Sequence, residues 1–136
     1  MKHKTPIQIR FKDIDVLGHV NNANHLSYLE MARISYFEKV VGSNINWNKD
    51  GIILAKVIID YKMPMMLTDK VFVYTKCSKV GTKSFDLEYA IVKEENGKEI
   101  IVATATTIMV CYDYNSKNSV PIKEEWKKKM LAFENS

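Results

Sequence analysis

The sequence predicts an α+β domain in which one long helix covers an antiparallel sheet of about five strands. Two observations carry this. The hydrophobic period is two before Asp13, three to four from Asn24, and two again after Gly51. An Asn96-Gly97 pair, both residues tolerant of positive φ, separates two alternating runs as a hairpin turn does. No repeat, low-complexity tract or Pro/Gly-rich linker divides the 136 residues, so residues 1–136 are read as one domain.

The elements follow in order. Ile7, Ile9 and Phe11 alternate with Gln8 and Arg10, which predicts a half-buried strand over Pro6–Phe11 behind a frayed terminus that holds His3. Asp13 to Asn22 reads as a loop. Leu26, Leu29, Ala32, Tyr36, Phe37 and Val40 then recur three or four apart and mark one face of a helix that Gly42 stops. On it, Glu30 and Arg33 are spaced to pair. Strands are expected at Ile53–Tyr61, Val71–Cys77, Phe85–Ile91 and Ile100–Tyr112, and Pro121 opens a short helix through Leu131. A five-stranded sheet around one helix leaves strand edges open, which points to a homodimer or homotetramer.

The chemistry concentrates in the stretch Asp13-Ile-Asp-Val-Leu-Gly-His-Val-Asn-Asn22 ahead of the helix. The first turn of a helix carries unpaired N–H groups and the positive end of its dipole, both suited to a developing oxyanion. A loop carboxylate folded back beside that end supplies a base or nucleophile, the second part that acyl transfer needs. Asp13, Asp15 and, in reserve, Glu30 are the candidate carboxylates. Asn21, Asn22 or Asn24 is placed to cap the helix. Gly18 permits a tight turn or a close backbone approach. His19 has three open roles: general acid or base, substrate contact, or a residue that holds the turn. His19 and His25 lack the i, i+4 spacing of a zinc helix, and no metal or cofactor is expected.

Arg10-Phe11-x-Asp13-x-Asp15-x-x-Gly18-His19-Val20-Asn21-Asn22, followed by Tyr28-x-Glu30-x-Ala32-Arg33, resembles the hotdog-fold acyl-CoA thioesterases of the 4-hydroxybenzoyl-CoA thioesterase type. Ile59-Asp60-Tyr61-x-x-Pro64 and Val80-Gly81-x-x-Ser84-Phe85 extend the resemblance. It implies a curved antiparallel sheet wrapped around a central helix, subunits paired sheet edge to sheet edge, and active sites at the dimer interface. It assigns the catalytic carboxylate to Asp15 and the oxyanion donor to a backbone N–H near Asn22, with His19 beside them. The expected substrate is an acyl-CoA, contacted at Gly18 and Asn21, with Lys83 near the Gly81 turn as a surface candidate for the phosphates. Met31, Tyr36 and Trp47 are candidates for the acyl pocket. The plant acyl-carrier-protein thioesterases carry Asp-x-Asn-x-His-Val-Asn-Asn. Here Leu17 stands at the asparagine position, which leaves Asp15 central. The histidine-centred signature of hotdog dehydratases is missing.

Composition narrows the partners. Net charge is +4 and the isoelectric point is near 9.0, but lysines and acids are interspersed without a basic stripe, which disfavours nucleic acid. A mild positive excess suits a phosphate-bearing small molecule or an acidic acyl-carrier protein. The start, Met1 to Arg10, lacks the apolar core of a signal peptide, and no apolar run reaches membrane-spanning length, so a cytoplasmic protein is expected. Cys77 and Cys111 lie in apolar strand-like runs and read as buried small hydrophobes. Two readings compete with an acyl-CoA hydrolase: an acyl-carrier-protein thioesterase, and a non-catalytic module that binds acyl thioesters.

Overall fold

Alternation after Gly51 produces four long strands, and the computed structural model, which describes residues 1–136, shows them as one antiparallel sheet. The elements are β1 (His3–Ile7), a 3-10 turn (Phe11–Asp13), α1 (Asn24–Val40), β2 (Asp50–Tyr61), β3 (Lys70–Val80), β4 (Ser84–Glu95), β5 (Lys98–Asp113), β6 (Asn118–Ser119) and α2 (Glu124–Asn135). The sheet order is β1-β3-β4-β5-β2, with the two-residue β6 beside the end of β5. Register shifts at Leu54/Lys56, Cys77/Lys79 and Ile91/Val92 are the irregularities by which a long sheet bends. Asn96 and Gly97, at φ 54° and 77°, make the β4–β5 hairpin as their residue types dictate.

The core lies between α1 and the sheet. Helix residues Tyr28, Leu29, Ala32, Tyr36 and Phe37 pack with Val71 and Val73 of β3, Phe85, Leu87 and Ile91 of β4, and Ala105 and Met109 of β5. Phe37 meets Phe85 edge to face at 5.7 Å. Each fully buried large side chain here contributes roughly 1.5–3 kcal/mol. Helix α1 ends where expected: Gly42 takes φ 129°, and the N–H groups of Val41 and Gly42 both donate to the Phe37 carbonyl. Helix α2 buries Trp126 and Met130 one turn apart. At its end the Glu134 carboxylate accepts from Tyr36 Oη at 2.7 Å and the Cys77 N–H at 2.8 Å, tying α2 to α1 and β3. Both cysteines are buried free thiols, and burial pushes each up to about 11.

Four expectations need correction. The first strand is His3–Ile7, three residues earlier than its alternation predicts, and His3 is not frayed: it pairs with Thr75 of β3, and its Nε2 lies 3.0 Å from Ser35 Oγ. Phe11 is 84% exposed because the chain has already turned away. The inward helix face is rotated by one residue, with His25 and Arg33 buried and Leu26 exposed. Helix α2 starts at Glu124 instead of Pro121, because the Ile122 N–H donates to Thr82 and holds that segment against the β3–β4 turn.

Candidate active site

The loop ahead of α1 is fixed by the first of its two aspartates. Asp13 is 1% exposed, and its Oδ2 accepts from Tyr28 Oη at 2.7 Å and the Arg10 N–H at 3.1 Å, while Arg10 Nη2 donates to Oδ1 at 3.2 Å. Burial opposes the charge, but the donors from Tyr28 and Arg10 outweigh it and hold the carboxyl below its ordinary range. The backbone of Asp13 is also engaged: its carbonyl accepts the Asn21 N–H and Asn24 Nδ2. Asp13 therefore pins both ends of the loop and has no oxygen left for chemistry.

Asp15 differs. A bridge between Ile14 and Val20 closes a tight turn in which Gly18 donates to the Asp15 carbonyl at 3.0 Å and Asp15 N–H donates to His19 at 2.9 Å. Gly18 sits at φ +83°, the left-handed region that glycine enters without strain. The Asp15 carboxylate is half-buried; Oδ1 accepts the Leu17 N–H at 2.9 Å, and Oδ2 has no donor. That side chain opens onto a cleft of about 370 Å³, which is also lined by His19, Val20, Asn21, Asn22, His25, Met63 and Pro64.

The start of α1 forms the opposite wall. Asn21 acts as the cap: its Oδ1 accepts the Ala23 N–H at 2.9 Å and its carbonyl accepts the Asn24 N–H at 2.9 Å. The His25 N–H donates to the Asn22 carbonyl at 3.3 Å. The Asn22 N–H alone in this run donates to no group of the protein. It is a free donor at the positive end of a 17-residue helix, in the same cleft as the Asp15 carboxylate.

Of the residues expected at the site, Asp15, His19, Asn21 and Asn22 line this cleft, and Gly18 shapes the turn without lining it. The His19 imidazole makes no hydrogen bond, so its side chain does not hold the turn. Lys83 lies elsewhere. It precedes β4 beside Cys111, and Cys111 pairs with Ile52 at the start of β2, whereas the cleft adjoins the end of β2. Glu30 and Arg33 do not pair; Arg33 instead donates to Tyr89 Oη at 3.4 Å. Tyr36 is core, Met31 lines no cleft, and Trp47 lines a separate one beside Phe37 and Arg33.

Sequence reasoning missed two residues. His25 is 2% exposed, and its Nδ1 has no partner of normal geometry. Burial lowers its pKa against the pull of the Asn21 and Asn22 carbonyls, so a neutral imidazole is favoured beside the helix start. Tyr61 packs edge-on to His25 at 4.8 Å and donates to the Asn22 carbonyl at 3.1 Å, bracing the peptide next to the free N–H. The spacing 22 to 25, one helical turn, was the available signal for His25. No three His, Cys, Asp or Glu side chains are grouped to hold a metal ion.

Known proteins share this arrangement of elements. The chain is 28% identical to the long-chain acyl-CoA thioesterase FadM of Escherichia coli strain K12, over 93% of this chain and 96% of that one. It is 29% identical to the 1,4-dihydroxy-2-naphthoyl-CoA hydrolase of Nostoc punctiforme, over 86% and 78% of the two chains. A thioesterase of Thermus thermophilus, crystallised with coenzyme A and zinc, superposes with a TM-score of 0.80 at 31% identity, covering 93% of this chain and 95% of that one. Residues 9–130 match the thioesterase-like superfamily, and with its helix-wrapping antiparallel sheet the chain belongs to that superfamily and has its hotdog fold.

Proposed function

We propose that the protein hydrolyses acyl-CoA thioesters to a free acid and coenzyme A, with Asp15 as base or nucleophile and the Asn22 N–H as oxyanion donor. The observation that carries this is the pairing, in one cleft, of a carboxylate with an unengaged oxygen and an unengaged amide at a helix start. The thioester carbonyl rests against α1, its oxygen toward Asn22. Asp15 then follows one of two routes: it attacks the carbonyl carbon and expels the thiolate, leaving a mixed anhydride that water cleaves, or it takes a proton from a water that attacks instead. His19 and the neutral His25 line the same space, within which the leaving thiolate must be protonated. In the first step, charge moves onto the carbonyl oxygen, where a preorganised donor is worth roughly 10²–10³ in rate.

The free edge of β2, with Ile53, Leu54, Ile58 and Tyr61 exposed, supports a homodimer formed through that strand. No helix is long and apolar enough to cross a membrane, which accords with action in the cytoplasm. A second reading rests on the net charge of +4: an acidic acyl-carrier protein is an electrostatically suited bearer of the same thioester. Thiol release from panels of acyl-CoAs and acyl-carrier proteins tests both. Asp15→Asn keeps the turn and removes the charge; turnover is expected to fall by more than the roughly 10³ of a single oxyanion donor. Near wild-type turnover in that variant would remove Asp15 from the mechanism. Binding of thioesters without release of thiol would leave only the non-catalytic module.

A further inference from the structure

A second cleft lies at the other end of the same edge strand. It measures about 350 Å³ and is walled by Ile34, Phe37, Trp47, Ile52, Leu54 and Met109. Into this apolar space the sequence places one cation. Arg33 is only 9% exposed, yet no carboxylate lies within ion-pair distance, Glu30 across the cleft included. Its one hydrogen bond, to Tyr89 Oη, is long at 3.4 Å, and Tyr89 Oη is itself engaged with Thr107 Oγ1 at 2.8 Å. A guanidinium presents five N–H groups in a planar fork, so most of this donor set is unused. Burying such a group costs free energy unless oxygen acceptors meet it.

The cleft is remote from Asp15 of its own chain. Eleven residues of α1 separate Asn22 from Arg33, which at 1.5 Å each is roughly 16 Å. Edge geometry brings it to the other Asp15. Ile52 and Leu54 sit at the start of β2, and Tyr61, Met63 and Pro64 sit at or just past its end. Two copies joined through β2 about a two-fold axis normal to the sheet run antiparallel, so the start of one strand lies beside the end of the other. The Arg33 cleft of one protomer then faces the Asp15 cleft of its partner.

Resting on the thioesterase reading, we infer that this cleft receives the acyl group of a thioester held at the partner's Asp15, and that Arg33 selects acyl groups carrying an acceptor oxygen away from the thioester. The apolar walls hold the carbon skeleton, and the unused N–H fork meets a carboxylate, hydroxyl or carbonyl oxygen at the far end. A plain hydrocarbon acyl group leaves the guanidinium buried and unanswered, which is how a site built for a polar group rejects its analogue.

The test compares kcat/KM for acyl-CoAs matched in carbon count: butyryl with succinyl, hexanoyl with adipyl, octanoyl with omega-hydroxyoctanoyl and suberyl, decanoyl with sebacyl. The expected result is a preference of roughly tenfold or more for an oxygenated member at one length, the scale of a charge-assisted hydrogen bond. The hydroxyl and carboxyl arms identify which oxygen is read. In Arg33→Met the ratio falls to about one, and in Arg33→Lys, the variant to use if the methionine does not fold, part of it survives. Mixing Asp15→Asn with Arg33→Met subunits and letting them exchange regenerates one intact composite site per hybrid dimer, about a quarter of wild-type selective activity. Equal or better turnover of plain acyl groups at every length, a preference that survives Arg33→Met, or failure of the hybrids to recover would each overturn the inference while leaving thioester hydrolysis standing. Failure to release thiol from any thioester would overturn both.

Discussion

Asp13 and Asp15 are two residues apart and chemically identical, yet the structure gives them separable jobs, and Asp13→Asn measures the separation. The side chain is 1% exposed and receives three donors. An asparagine best keeps its oxygen at the Oδ2 position, where Tyr28 and the Arg10 N–H still reach it. Both bonds then lose their ionic half, at about 0.5–1 kcal/mol each. The new amide points its own N–H groups at the Arg10 guanidinium and forfeits that ion pair, worth no more than about 1 kcal/mol because Arg10 is largely exposed. The total is about 2 kcal/mol, which for a domain of this size lowers Tm by roughly 8 °C. Asp15→Asn does otherwise. Its Oδ1 still accepts the Leu17 N–H, so stability should change by less than about 0.5 kcal/mol while thiol release collapses. Thermal melts and thiol release on the two purified variants decide it. Should Asp13→Asn melt like the wild type and lose turnover, or Asp15→Asn lose stability and keep it, the division of roles drawn above is wrong.

Acid should destabilise the fold before it titrates the carboxylates. His3 and His25 are both lowered from their ordinary value of 6.5, chiefly by burial, so below that pH the unfolded chain binds protons that the folded one resists. Stability is then present above about pH 6.5 and falls as pH drops, by at most about 1.4 kcal/mol per pH unit for each histidine. Asp13, lowered in the fold, adds a second loss at lower pH as it is protonated. Urea midpoints at pH 7.5 and 5.5 check the first step, and an unchanged or higher midpoint at 5.5 would contradict it. Gly51→Ala should also destabilise, by about 1–3 kcal/mol, because a Cβ there overlaps the Tyr114 ring and comes within 2.9 Å of the Tyr112 carbonyl oxygen; a melt at the wild-type temperature would show that Tyr114 moves aside freely.

What the sequence revealed, and what it hid, follows from the range of the interactions involved. The strands after Gly51, the span of α1 and its stop at Gly42 are local matters of period and backbone freedom, and all could be read directly. Strand β1 could not be placed to the residue, because its start is set by pairing with Thr75, far along the chain, and its end by the turn that buries Asp13. The two aspartates could not be told apart by spacing, since what distinguishes them is Tyr28, which reaches back across fifteen residues. Only the resemblance favoured Asp15.

The helix face was misread in a way that bears on function. Counting only apolar residues placed Leu26 inward and ignored His25 and Arg33. The fold buries both, and neither has a full set of partners. A polar side chain on the inward face costs stability unless something answers it. Here each of the two lines its own cleft, one beside Asp15 and one at the far end of the edge strand. The breaks in the apolar pattern of α1 therefore coincide with the two ends of the binding surface. That is where a sequence is expected to depart from its own folding rules, because the partner of those groups is a ligand and not the chain itself.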